Sequence, residues 1–289
     1  MKLNVFAHCA IDTITIDGNN YEQIGGAACY SGITARQFKF DVDLFTKFGP
    51  DFPKQYLDEH KINLVNSESQ KNTTKFAISI TGSDRTLKLE NECDPIDYSQ
   101  SDADAHLVSP IYHEISGDIF KKIKSDSNFL FVDPQGFLRR KDSQNNIFLE
   151  KTDLDLSDVN AIKVNPEESQ QIVSGTHDEM MLALQKKGVE YVLLTDKSNV
   201  SLLVKDKIYS ITLPNLRIHD TTGVGDIFCS AFTCTMLKEK DFLWALCFAG
   251  GAAQAALESN NVGLQKIPKK GTVQTNASYF YNLVKFRDL

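Results

Sequence analysis

The chain has 289 residues, 42% of them hydrophobic and 24% charged, with a formal net charge of −7. Those proportions belong to a folded globular protein and exclude wholesale disorder, while the acidic balance leaves no electrostatic footprint for nucleic acid or an anionic membrane surface. No apolar run approaches the roughly 18 residues of a membrane span, and MKLNVFAHCAIDTITIDG is too short and too polar for a secretory signal, so the expected location is the cytoplasm.

In chain order, LNVFAH reads as a first strand, followed by TITIDG with period-two alternation. GGAACYSGITARQF reads as a helix entered through two glycines, VDLFTKFG as a buried strand, DFPKQYLDEH as a helix and INLV as a strand. Residues 73–90 interrupt this βα rhythm. Phe76, Ile78 and Ile80 share one face, Lys75, Ala77, Ser79 and Thr81 the other, and Gly82-Ser83-Asp84 turn the chain into Leu87 and Leu89. That is an amphipathic hairpin, and its apolar face needs a cover: a ligand, a second subunit or the parent domain. An edge hairpin packed on its own core is the plainer alternative.

Alternation then resumes, with AHLVSPI, NFLFVDP, NAIKVN and YVLLTD as strands and helices expected near 113–124, 166–173 and 176–187. Two antiparallel strands, VSLLVKD and KIYSITL, precede helices at about 225–238, 241–259 and 272–286. Such alternation gives a mostly parallel sheet with helices on both faces, and no internal repeat or linker divides it. Cys9, Cys29, Cys93, Cys229, Cys234 and Cys247 are scattered without C-x-x-C spacing, as expected of reduced, mostly buried thiols. The six histidines show no metal-binding spacing.

The stretch DTTGVGD at 220–226 stands at the start of a helix. A helix start carries unsatisfied N–H groups and partial positive charge, and glycines at 223 and 225 allow unusual dihedrals and close approach of a ligand. The segment therefore has the parts of an anion hole. Thr221 or Thr222 capping the helix over a tight glycine turn is the alternative. No G-x-x-x-x-G-K-[ST] P-loop occurs, and GVGDIF lacks the third glycine or alanine of a dinucleotide fingerprint and opens no early βαβ unit. Asp226 can turn binding into chemistry: phosphoryl transfer needs an aligned nucleophile and neutralised charge more than a strong base, and the helix N-terminus is expected to keep Asp226 ionised.

DTTGVGDIF resembles the second signature of the ribokinase-like, or PfkB, carbohydrate kinase family, D-T-x-G-A-G-D-x-F, with Val224 in place of the common alanine. Gly25-Gly26 matches the family's N-terminal glycine pair, and NPEES at 165–169 resembles its N-x-x-E motif. The resemblance spans nearly the whole chain. It implies a ribokinase-like three-layer α/β/α sandwich with a central mostly parallel sheet and a small β-sheet lid, a single domain over 1–289 with lid strands from about 11–22 and 72–91. It also implies Asp226 as catalytic base, with Gly223, Val224 and Gly225 as anion-hole amides. Asp12, Gly25, Gly26 and Tyr30 would bind the acceptor, and Asn165, Thr195, Lys197, Gly223 and Gly225 the nucleotide. Asn165 and Glu168 would act around Mg²⁺ through water, and Asp220 and Thr222 sit where some members bind a monovalent cation such as K⁺. Asn165 as a mere helix cap and Asp12 as a solvated strand end remain the plainer readings.

The match departs from the family at two places. Tyr30 stands where many relatives have an asparagine that contacts the sugar, which puts ribose in its usual pose in doubt; the plainer reading of Tyr30 is a core helix residue. TDKSNV at 195–200 replaces T-x-G-x-x-G, so Lys197 either adds charge at the triphosphate or is an exposed turn lysine. VDPQGFLR at 132–139, with Tyr30, resembles the inositol-kinase-like branch. FAGGAAQAALE at 248–258 either borders the purine or packs helix on helix. The expectation is thus an ATP- and Mg²⁺-dependent kinase acting on a sugar or cyclic polyol, inositol-like first. Alternatives are a nucleoside kinase of the same family or a catalytically weak sugar- or nucleotide-binding sensor. A homodimer through the lid is an open option.

Overall fold

Short runs such as Leu3–Phe6, Leu130–Val132 and Ala161–Val164 are buried along their whole length, as strands covered on both faces must be. The structure, a computed structural model, describes residues 1–16, 18–81, 84–214 and 220–289. In chain order these form β1 (Lys2–Phe6), β2 (Ala10–Ile16), β3 (Asn19–Gly25), α1 (Gly26–Gln37), β4 (Asp41–Phe45), α2 (Gln55–Glu59), β5 (Asn63–Val65), β6 (Lys75–Thr81) and β7 (Asp84–Asn91). Then come β8 (Ala105–Val108), α3 (Gly117–Ser125), β9 (Leu130–Val132), α4 (Gln135–Leu138), β10 (Arg139–Lys141), β11 (Ile147–Leu149), β12 (Ala161–Val164), α5 (Pro166–Ile172), α6 (His177–Lys186) and β13 (Tyr191–Asp196). The last part comprises β14 (Asn199–Val204), β15 (Lys207–Thr212), α7 (Val224–Glu239), α8 (Phe242–Leu257), a 3₁₀ turn (Gly263–Lys266), α9 (Lys270–Tyr281) and β16 (Lys285–Asp288).

The main sheet runs β16-β15-β14-β13-β12-β9-β8-β1-β4-β5, parallel from β5 to β13 and antiparallel beyond. One face carries a core with Ile33, Ile227, Phe232, Leu246 and Val273, from α1, α7, α8 and α9. The other carries Phe120, Ile123, Met181 and Leu184, from α3 and α6. This is the three-layer α/β/α architecture. The chain leaves β1 toward β4 and β5 and returns to place β8 on the opposite side of β1, so the sheet has a switch point between β1 and β8. Ligands bind outside the carboxyl ends of strands at such a point.

A separate four-stranded sheet, β3-β2-β6-β7, stands over that crevice. Its inner face carries Ile14, Phe76, Ile78 and Leu89, all buried, and its outer face Thr13, Ala77, Ser79 and Thr86. The parent domain therefore supplies much of the cover that the apolar face requires. Of the turn expected at 82–84, residues 82 and 83 lie outside the described residues.

Two expectations need correction. The C-terminal helix stops at Tyr281, and Lys285–Asp288 form an edge strand paired with β15. All four residues of that strand are exposed, so no hydrophobic period marked it; the open hydrogen bonds of β15 decide its conformation. The helix expected from 113 begins at Gly117, capped by Ser116, because the Glu114 carboxylate instead accepts the N–H groups of His8, Ile111 and Tyr112. The small hairpin β10–β11 was not foreseen. Elsewhere local signals hold: Asn165/Glu168 and Thr176/Glu179 form capping boxes that start α5 and α6.

Candidate active site

The carboxyl ends of β8, β9 and β12 deliver Ser109, Asp133 and Asn165 to the crevice, where they meet the N-terminus of α7. α7 has no side-chain cap. Neither Thr221 nor Thr222 fills that role: the cap is Gly223 itself, at φ 74°, with Val224 N–H bonded to Thr221 O at 3.3 Å in a tight turn. Gly223 is obligatory twice over, for its left-handed backbone and because a Cβ there would lie 2.4 Å from the Tyr30 ring. The amides of Gly223, Gly225 and Asp226 have no hydrogen-bond acceptor among the described residues. Two of the three expected donors, Gly223 and Gly225, thus remain open to an anion, that of Val224 is occupied within the turn, and the Asp226 amide adds a third open donor that was not among those expected.

Two cavities meet at this turn. The first, about 260 Å³, lies under the lid and is lined by Asp12, Gly26, Tyr30, Phe76, Ile78, Leu87, Asp133, Gln135, Arg139, Asn165, Glu168, Thr222, Gly223 and Asp226. The second, about 650 Å³, is more apolar, with Val200, Leu213, Pro214, Val224, Phe228, Ala253 and Leu257 beside Thr195, Lys197 and Ser198. Lys163, Thr221 and Gly225 line both, while Asp226 lines only the first. Ala253 and Leu257 bring α8 to the second cavity, while Gly250 and Gly251 of the same stretch are close-packed on Ile211 and on α9, as the helix-packing reading of the small-residue run requires.

Asp226 accepts a hydrogen bond from Ser109 Oγ at 3.2 Å. Contrary to expectation, its carboxyl is not kept at an ordinary value by the helix start. Burial, and then the neighbouring Asp133 carboxylate, push it up to about 7 against the pull of Lys163 and Ser109. A helix N-terminus contributes typically 0.3–1 kcal/mol, less than a buried carboxylate loses with its hydration. Lys163 Nζ lies 3.2 Å from Asp133 and 3.6 Å from Glu168. Burial alone would lower the ammonium's pKa, but the two carboxylates overcome it and hold Lys163 above its ordinary value. A cation is thereby fixed where the cavities join.

The glycine pair lies beside the first cavity, which Gly26 lines. Gly26, at φ 80°, brings the backbone within 2.5 Å, measured from a would-be Cβ, of His8 O. Gly25 adjoins both the Asp12 carboxylate and the Tyr30 ring. Tyr30 is 1% exposed and packs beneath Gly223, so its ring is part of the scaffold; its hydroxyl is buried beside the first cavity with no hydrogen-bond partner among the described residues. Asn165 and Glu168 spend part of their hydrogen-bonding capacity on each other: Asn165 Oδ1 accepts Glu168 N–H at 2.8 Å and Glu168 Oε2 accepts Asn165 N–H at 2.9 Å. Lys197 is an exposed turn residue at φ 53° on the rim of the second cavity, and Thr195 lines the same cavity with its hydroxyl 3.4 Å from Val164 O. Asp220 lines neither cavity; it pairs with the buried Lys266 at 2.8 Å and accepts the Thr222 N–H.

The match to the pfkB family carbohydrate kinase model covers residues 12–270. The chain belongs to this family. It is accordingly a phosphotransferase with an alcohol group as acceptor. Among solved structures, a pyrophosphate-dependent kinase of the ribokinase family, complexed with a pyrophosphate analog and myo-inositol, superposes with a TM-score of 0.81 at 18% identity over 92% of this chain and 99% of that one. Arabidopsis thaliana ribokinase with ribose and ATP gives 0.73 at 16% over 96% and 98%. A Methanocaldococcus jannaschii nucleoside kinase gives 0.74 at 16% over 96% and 99%. No curated protein matches the chain by sequence. Among the described residues no helix is long and apolar enough to cross a membrane, and no group of three His, Cys, Asp or Glu is arranged for a metal ion.

From the sequence neither Lys163 nor Ser109 is singled out, and Asp133, Gln135 and Arg139 enter only as part of the VDPQGFLR resemblance, with no role assigned to any of them. Lys163 had a signal: a lysine inside the otherwise apolar AIKV, buried against the habit of lysine. Ser109 and Arg139 reach the site only through tertiary structure, from the end of β8 and the start of β10.

Proposed function

We propose that this pfkB kinase is a cytoplasmic enzyme that transfers the γ-phosphate of ATP to a hydroxyl of a cyclic polyol or simple sugar, with an inositol-like ring as the first choice. The observation that carries this reading is the pair of cavities joined at Lys163, Thr221 and Gly225, with Asp226 facing only the smaller one. A donor lying in the larger cavity would present its terminal phosphate to the open amides of Gly223, Gly225 and Asp226. The alcohol in the smaller cavity would donate its proton to Asp226 late in a loose transition state.

The larger cavity's aliphatic and Phe228 lining is suited to a nucleobase, which supports a nucleotide donor over bare pyrophosphate. The smaller one combines Asp12, Gln135, Arg139 and the Tyr30 hydroxyl, which has no partner among the described residues, with an apolar roof of Phe76, Ile78 and Leu87. Carboxylates and amides grip hydroxyls, and aliphatic or aromatic surface covers ring C–H groups. At about 260 Å³ it falls just under the roughly 300–1,000 Å³ of ordinary ligand pockets, which favours a single ring over a nucleoside. Mg²⁺ fits a site where the donor's phosphates and water supply most ligands, with Asp133, Asn165 and Glu168 close enough to hold its water shell. When bound it neutralises charge on the transferring group; Lys163 and the amides supply the rest from the protein.

The test is product release with ATP or pyrophosphate as donor across a panel of inositols, pentoses, hexoses and nucleosides. Acceptor-stimulated ADP release, strongest with a cyclic polyol, is expected. Turnover only with pyrophosphate would overturn the donor assignment, and turnover only with nucleosides the acceptor assignment. Absence of turnover with tight ligand binding would favour a sensor.

A further inference from the structure

The expected monovalent-cation site at Asp220 and Thr222 does not fit an alkali ion in this chain, because an ammonium group already occupies it. Lys266 Nζ donates to Asp220 Oδ2 at 2.8 Å and to the Asp220 backbone carbonyl at 3.1 Å. The Gly263 N–H, from the same 3₁₀ turn, donates to Asp220 Oδ2 at 3.2 Å. Both side chains are essentially sealed, Lys266 at 0% and Asp220 at 4% exposure. The same ammonium stands 5.8 Å over the Tyr30 ring, the ring on which Gly223 rests.

We infer that Lys266 is a tethered cation that positions the 220–223 turn, so that the anion hole is built without potassium or any other alkali ion. This inference rests on the kinase reading above. A carboxylate oxygen and a carbonyl oxygen converging on one point form a cation site, and an ammonium ion has nearly the size and charge of potassium. Held on a side chain, it is present at every salt concentration. Its two contacts reach the turn from both ends: Asp220 fixes where the turn begins, through Thr222 N–H, and Tyr30 fixes where it ends, under Gly223. A buried Lys–Asp pair is weak evidence for added stability, since desolvation offsets much of the attraction; fixing one geometry is the use such pairs serve best. Lys266 touches neither cavity, and is a positioning residue.

The experiment measures ATP binding by calorimetry, and turnover on the best acceptor, in buffer whose only monovalent cation is a large organic one, then with potassium added at constant ionic strength. The wild-type protein is expected to bind and turn over equally in both. Lys266→Ala is expected to lose about 100-fold in kcat/KM, the scale of one lost oxyanion donor. Potassium, ammonium or methylammonium should then restore a saturable part of the loss. Wild-type turnover that depends on potassium overturns the inference and leaves the kinase reading intact. Absence of ATP and pyrophosphate binding overturns the kinase reading and this role with it. A folded Lys266→Ala protein with unchanged kcat/KM, or with a loss that no cation repairs, reduces Lys266 to a packing residue. Should that variant not fold, the wild-type cation comparison decides alone.

Discussion

Replacing Asp226 by asparagine should make the protein more stable while abolishing its chemistry, and the two effects can be separated by pH. In the folded protein the carboxyl is raised from the ordinary 3.8 to about 7, first by burial and then by Asp133. Raising a carboxyl's pKa on folding makes its ionised form a burden on the native state. The group costs nothing below pH 4, where both folded and unfolded chains are protonated. Between pH 4 and 7 the unfolded chain ionises and the folded one does not, so the wild type loses stability as pH rises. Above pH 7 both are ionised and the deficit levels off. Three decades in the ionisation constant correspond to roughly 4 kcal/mol, an upper bound, and relaxation around the site should leave about 2 kcal/mol. Paired urea melts of wild type and Asp226→Asn at pH 5, 6, 7 and 8 read the difference directly. The asparagine variant should gain with pH up to about 7 and hold that gain at 8, while turnover falls by orders of magnitude and ATP still binds. A stability difference that is flat in pH, or that favours the wild type at pH 8, would refute the argument that Asp226 is a desolvated carboxyl facing Asp133. In the wild type, kcat/KM should fall about tenfold per pH unit below 7, as a base with that pKa requires.

Other perturbations test the rest of the site. Lys163→Met strands Asp133 and Glu168 without their shared cation; kcat/KM should drop about 10²–10³-fold, and stability at pH 8 by about 3 kcal/mol, with part of the stability recovered at lower pH as Glu168, whose carboxyl burial already pushes up, protonates. Tyr30→Phe removes a buried hydroxyl that has no partner among the described residues, so thermal stability should be unchanged or about 1 kcal/mol higher while acceptor KM rises up to about tenfold. Equal KM in both would show that the hydroxyl meets no substrate. Gly223→Ala forces a left-handed alanine against the Tyr30 ring and should cost about 2–4 kcal/mol in chemical denaturation. A near-neutral result would mean that the turn is not held as described.

What was legible in the sequence was whatever is encoded locally. The period-two run at 75–81 gave a strand and the apolar AIKV a buried one; N-P-E-E at 165–168 gave a helix start that the structure closes as a capping box. DTTGVGD marked a helix start with no side-chain cap because a glycine at φ above zero leaves a residue signature. What escaped depends on partners far along the chain. The Glu114 carboxylate unwinds the first turn of an expected helix by taking the His8 N–H, 106 residues away. The exposed 285–288 becomes a strand because β15 has unpaired backbone groups, which no pattern within the segment reveals.

Charges show the same division with more consequence for function. Asp226 and Asp220 are both aspartates within one seven-residue motif, and their local signals, a carboxylate near a helix N-terminus, are alike. Burial acts on both in the same direction. For Asp220 the Lys266 ammonium and the Thr222 N–H more than cancel it, and its carboxyl is held below the ordinary value. For Asp226 the nearest strong influence after burial is another carboxylate, and its carboxyl rises. One aspartate is thereby fixed as an anion that shapes the turn, and the other is left able to take up a proton near neutral pH. The difference rests on Lys266, 46 residues downstream of Asp220, and on Asp133 at the end of β9. The motif thus supplies two interchangeable-looking carboxylates, and the packing of distant elements decides which of them can act as a base.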